Sequence, residues 1–160
     1  MTKEEFLKEC IEYRVRKKEL TLWIILLLFF EIISLPLLFL EAKESVVLPI
    51  FILLCIVPVI VYYIIKIRNI RKYFNDYVYY EVVLDKVQNS FFRSRVYFVV
   101  SINNDGKNKK YDTRPMFSTS IMDFIYYPLE DYNNKKMLVA YNPKLEEVVL
   151  VKKIRKNIWI

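Results

Sequence analysis

Apolar residues are not spread evenly along this chain. They collect in two blocks near its start, Leu22–Leu40 and Val46–Ile65, with the polar gap Glu41-Ala42-Lys43-Glu44-Ser45 between them. A helix needs roughly 20 apolar residues to cross a bilayer core, and each block comes close to that length. So short a gap joins only antiparallel neighbours. Residues 20–66 therefore read as a transmembrane helical hairpin, with spans at 22–40 and 46–65. Soluble cores rarely hold blocks this long and this nearly free of charge.

Ahead of the hairpin the pattern turns helical and amphipathic. Phe6, Leu7, Cys10 and Ile11 recur at helical spacing, and Lys and Glu fill the other face. Thr2 followed by Glu5 fits a capping box at the helix start. Residues 1–19 are expected to form one short cytoplasmic helix. A signal peptide is not expected, because the charged region and the apolar block are too long and no small-residue cleavage site follows.

Behind the hairpin, residues 67–76 form a basic linker that can prolong the second helix by a couple of turns. From Tyr77 the period changes to that of strands. YVYYEVVLDKV and RSRVYFVVSI are rich in β-branched and aromatic residues. NNDGKN is a turn centred on Asp105-Gly106. KKYDTRPMF returns, with Pro115 ending the strand or placing it at an edge. Ser118–Tyr127 reads as a short helix closed by Pro128. KKMLVAYNP and LEEVVLVKKI complete five strands, joined by the Asn142-Pro143 turn. The predicted fold class is an α+β membrane protein: an N-terminal transmembrane α-helical hairpin, then a small antiparallel β barrel or sandwich at 77–160 in the cytoplasm.

Charge sets the topology. The chain carries 25 Lys and Arg against 18 Asp and Glu. Arg14, Arg16, Lys17 and Lys18 precede the first span, and Lys66, Arg68, Arg71 and Lys72 follow the second. The positive-inside rule puts both flanks, and both termini, in the cytoplasm. Trp23, Tyr62 and Tyr63 fall where amphipathic rings favour the membrane interface. These eleven residues are the candidate interface and lipid contacts. Lys152, Lys153, Arg155 and Lys156, with Trp159, form a basic tail that also suits anionic lipid. Cations beside a membrane exit need no nucleic acid to explain them, and none is expected as a partner.

Glu31 is the one charged residue inside either span. A carboxylate there costs about 2.5 kcal/mol or more on insertion scales, so it is protonated or faces a partner. Ser34 can share its face. Contact with another membrane protein, self-association, an ion path and a tolerated neutral Glu all remain open.

Chemistry is scarce. Histidine is absent, which removes the usual general base and the commonest metal ligand. One glycine, Gly106, excludes glycine-rich phosphate loops. Cys10 and Cys55 are expected to stay unpaired. The remaining acids are dispersed, and Asp112-Thr113-Arg114 reads as a surface strand with a local ion pair. No catalytic residue, metal or cofactor is expected.

Tyr97-Phe98-Val99-Val100, Asp105-Gly106-Lys107, Tyr111-Asp112-Thr113, Leu138-Val139-Ala140-Tyr141-Asn142-Pro143 and Val148-Val149-Leu150-Val151 follow one another in a recognisable order. Over residues 78–152 that order resembles the bacterial membrane family called domain of unknown function 3592. Where that family has a glycine before the late strand, this chain has Asn133-Asn134-Lys135. The resemblance implies a membrane-tethered β domain with no established catalysis. The expected function is that of a non-enzymatic, membrane-anchored accessory protein of the bacterial cytoplasmic membrane. Its expected partners are membrane lipid and a membrane protein or a second copy. An immunity protein against a secreted toxin or bacteriocin, and a small subunit of a channel or export complex, are the alternatives.

Overall fold

A computed structural model describes residues 1–34, 47–84, 87–89, 95–104, 107–113, 117–118 and 124–154. The chain divides into two compact units. One joins Met1–Val15 to Arg71–Ile160, and the other is Arg16–Ile70.

In the first unit, helix α1 spans Lys3–Glu9. The expected capping box is present: the Glu5 amide donates to Thr2 Oγ1 at 3.2 Å and the Thr2 amide to Glu5 Oε2 at 2.8 Å. The single helix expected over 1–19 is not. The chain breaks at Cys10, and helix α2 starts afresh at Ile11 and runs to Ser34. The Tyr13 amide donates to Cys10 Sγ at 3.4 Å, so the thiol satisfies an amide that a new helix start would leave open. A cysteine is not among the usual capping residues, which is why the break has no clear signal in sequence.

Eight strands follow among the described residues: β1 Val78–Val83, β2 Val87–Asn89, β3 Arg95–Asn104, β4 Lys107–Asp112, β5 Phe117–Ser118, β6 Tyr127–Pro128, β7 Lys136–Asn142 and β8 Glu147–Lys153. They make two sheets. One has the order β1-β7-β8, all antiparallel, with Val78 opposite Tyr141 and Met137 opposite Lys153. The other runs β2-β3-β5-β6, with β4 also on β3. The hairpin expected around Asp105-Gly106 is there, since Asn104 lies opposite Lys107. Those two turn residues lie outside the described residues.

Three expectations are corrected. The described strands do not close into a barrel: β5 and β6 have two residues each and cannot carry a ladder round to closure. The domain is not purely antiparallel, because β5 and β6 pair parallel. The short helix expected over 118–127 is not seen where it is described, as Ser118 ends β5 and Tyr127 begins β6. Residues 119–123 lie outside the described residues.

The core of this unit follows the period of two expected of strands. Val96, Phe98, Val100 and Ile102 of β3 are buried, and Ser101 is exposed. Strand β8 departs from it: Val148, Val149, Leu150 and Val151 are all buried although β8 is a sheet edge. Helix α1 packs against it, and Cys10 Sγ donates to the Leu150 carbonyl at 3.5 Å.

Among the described residues two non-glycine positions have left-handed backbone, Asn134 at φ 55° and Glu146 at φ 49°. Asparagine tolerates that region and glutamate does not. Glu146→Gly should therefore raise the unfolding free energy by about 1 kcal/mol, despite losing an exposed 3.1 Å ion pair with Lys109. Denaturant titration checks this.

In the second unit, α3 spans Val47–Lys72 and passes through Pro58 without ending. Within it Pro49–Lys72 is long and apolar enough to cross a membrane, and very little of its most apolar stretch is buried. It is the one such helix among the described residues. Of the first expected span, 22–34 is helical in α2. Residues 35–40, with Pro36, and the gap at 41–45 lie outside the described residues, so a completed hairpin is not shown. The helix extension expected over 67–76 is seen to Lys72, followed by a 3-10 turn at Phe74–Asp76.

Candidate functional site

Three surfaces carry the residues singled out in sequence. The first is the lipid-like surface of the helices. Ile25, Leu28, Phe29, Ile32 and Ile33 on α2 are exposed, as are Phe51, Leu54, Tyr62 and Ile65 on α3. Within this apolar surface Glu31 is half-buried, and its Oε1 is buried with no hydrogen-bond partner. Ser34 does not serve the carboxylate. Its hydroxyl donates to the Glu31 backbone carbonyl at 3.2 Å.

The second surface is cationic. Lys17, Lys18, Arg68, Arg71 and Lys72 are exposed. The Lys66 ammonium lies 5.8 Å from the Tyr62 ring, and Tyr62 meets Tyr63 edge-on at 5.4 Å. Trp23 is half-buried. Arg16 departs from expectation. It is buried, ion-paired to Glu19 at 2.7 Å and placed over the Tyr63 ring at 5.9 Å. Its charge is committed inside the protein, so it is not a lipid contact. The i,i+3 spacing of Arg16 and Glu19 was visible in the sequence, but their burial was not.

The third surface belongs to the unit built by Met1–Val15 and Arg71–Ile160, and sequence reasoning missed it. The N-terminal segment is no separate element. Phe6 is fully buried, with its ring 5.3 Å from Phe74, 5.6 Å from Tyr77 and 6.2 Å from Tyr79. Arg14 places its guanidinium over Tyr127 at 5.4 Å, Tyr127 meets Tyr132 at 5.5 Å, and Tyr132 meets Phe117 at 5.2 Å. A signal did exist: four apolar residues in a row, Val148–Val151, mark a strand buried on both faces, and something must cover it.

Packing α1 on this unit leaves two open clefts. A polar one of about 440 Å³ is lined by Glu5, Lys8, Glu9, Arg14 and Lys152. A second, of about 410 Å³, is lined by Met1, Phe74, Asn75, Tyr77, Tyr79, Leu138 and Lys152. Lys152 lines both, and its ammonium pairs with Glu9 at 2.6 Å. Glu5 is held below the usual carboxylate range by hydrogen bonding to Thr2. Burial, then the charge of Glu12, pushes the Tyr77 hydroxyl up.

Burial also pushes the Cys10 thiol up from 9.0 to about 12. A raised pKa favours the neutral thiol in the fold, so its contribution is complete below pH 9 and is lost as pH rises towards 12. The thermal midpoint should fall over that window. Cys10→Ala should flatten the fall and cost about 1 kcal/mol through loss of the cap. A melting series from pH 8 to 11 reads both effects. The other cysteine, Cys55, is free and exposed on α3.

Of the remaining candidates, Thr113 is buried and its Oγ1 accepts from the Phe98 amide at 3.0 Å. The ion pair expected of Asp112 and Arg114 falls on Arg114, outside the described residues. Arg114, Pro115 and the tail from Arg155 onward lie outside the described residues. The chain matches no family model, no curated protein and no solved structure.

Proposed function

We propose that this protein is a non-enzymatic, membrane-anchored accessory or interaction protein of the bacterial cytoplasmic membrane, held there by a helical hairpin. Both termini lie in the cytoplasm, and the β unit presents the binding surface. The observation that carries this reading is the exposure of α3. A helix this apolar inside a soluble core is buried, whereas Phe51, Leu54 and Ile65 are 61%, 69% and 49% exposed. Water would not tolerate that surface, and lipid does.

Chain connectivity supports two crossings. Val15 and Arg71 belong to one compact unit, so segment 16–70 leaves a polar body and rejoins it. A membrane between those points must be crossed an even number of times. Exposed cations on both flanks favour the cytoplasmic side for that body.

Purification in mild detergent from the native host tests the function. A stoichiometric membrane-protein partner or a homo-oligomer is expected. A strictly monomeric species with no partner would count against the reading.

The buried, unpartnered oxygen of Glu31 favours one second reading, a subunit that contacts another membrane protein through α2. Glu31→Gln should then alter assembly and Glu31→Leu should damage it more, measured as oligomer mass in detergent. Identical masses would remove that role.

A further inference from the structure

We propose that the two adjoining clefts of the β unit bind an anionic phospholipid. Lys8, Arg14 and Lys152 hold its phosphate, and the aromatic groove of Phe74, Tyr77 and Tyr79 takes its glycerol and acyl part. This rests on the membrane reading above and adds a specific ligand to it.

The polar cleft has three cations and two acids. Glu9 is paired with Lys152 at 2.6 Å, whereas Glu5 accepts from the neutral Thr2 amide at 2.8 Å and keeps its charge, so three cations against two acids leave the lining one positive charge in excess. Lys8 and Arg14 make no ion pair among the described residues. The Arg14 guanidinium uses its face on Tyr127, which leaves its in-plane donors for an anion with several oxygens. Phosphate has that form, and the cleft offers it the donors of Lys8 and Arg14, the remaining donors of Lys152 and one positive charge in excess.

Shape then separates a lipid from a free anion. Inorganic phosphate would fill the polar cleft alone. The second cleft begins at the same Lys152 and is lined mainly by aromatic and aliphatic side chains. Tyr79 is 38% exposed there. A ligand that uses both is charged at one end and apolar at the other. The chain also supplies the setting, because Arg14 lies eight residues ahead of the apolar block that begins at Leu22.

Binding of short-chain lipids to the purified full-length protein in an uncharged detergent tests this. Dioctanoyl phosphatidylglycerol should bind saturably, and dioctanoyl phosphatidylcholine and inorganic phosphate should bind much more weakly. Lys8→Ala and Arg14→Gln should each weaken phosphatidylglycerol binding about fivefold. Tyr79→Ala should weaken it while leaving phosphate binding unchanged. Lys144→Gln removes the same charge beside Asp76 and should change nothing. Lys8 is exposed on α1, so its variant folds even if that of Arg14 does not, and melting curves confirm this.

Equal affinity for inorganic phosphate would make this a free-anion site and overturn the proposal. Unchanged lipid binding in Lys8→Ala would overturn it too. Alkaline carbonate extraction of the same membranes separates the two readings. Protein that resists extraction but does not discriminate between lipids sinks the lipid site alone. Protein that is extracted sinks both.

Discussion

Phe6→Ala should destabilise the β unit by about 3–5 kcal/mol, the largest effect of any single substitution considered. The residue lies on a seven-residue helix that would be marginal alone, so its weight comes from where its ring goes. It is fully buried against Phe74, Tyr77 and Tyr79. Truncation leaves a cavity between α1 and the segment that leads into β1. It also frees the helix that covers β8, exposing part of the run Val148–Val151 to water. Total stabilities of small domains are about 5–15 kcal/mol, so the variant should be partly unfolded near 37 °C. Leu7→Ala, one position along and half-buried, should cost much less. Denaturant unfolding of both variants in detergent decides this. Equal, small effects would mean that α1 is a loose appendage.

Leu54→Arg should prevent stable membrane insertion. Leu54 is 69% exposed in the middle of the apolar stretch of α3. An arginine at a bilayer centre costs about 2.5–3.5 kcal/mol on insertion scales. On a water-exposed helix the same change would be harmless and would improve solubility. The two environments therefore predict opposite outcomes for one substitution. The fraction that resists carbonate extraction should drop sharply in Leu54→Arg and stay at the wild-type level in Leu54→Phe. More soluble, well-folded Leu54→Arg protein would argue against a membrane.

Local features were legible in the sequence. The Thr2–Glu5 capping box, the alternation along β3 and the Asp105-Gly106 hairpin each depend on residues close together in the chain, and each is found in its expected place. The misses have a common cause in long-range pairing. Phe6, Leu7, Cys10 and Ile11 share a face, and that spacing predicts one amphipathic helix over 1–19. What that face meets, β8 and the chain after α3, lies some seventy to one hundred and forty residues away. A strand count suits a barrel and a sandwich alike, and it cannot show that two-residue strands and a parallel pair leave two sheets without closure among the described residues. Arg16 was assigned to lipid by proximity to the apolar block, whereas Glu19 and Tyr63 claim its charge. The two clefts arise only when α1 is seated, so no linear motif announces them.

In the proposed topology, segment 16–70 crosses the membrane and returns, leaving the β unit in the cytoplasm. Labelling intact cells with a membrane-impermeant maleimide tests it directly, in a Cys55→Ser background. Cys10 stays silent, because it is buried and its thiol is pushed up to about 12. Lys43→Cys, in the gap between the two apolar blocks, should be labelled from outside. Lys144→Cys, exposed on the turn between β7 and β8, should be labelled only after the cells are broken. Labelling of Lys144→Cys in intact cells, or of Lys43→Cys only in broken ones, would contradict the account.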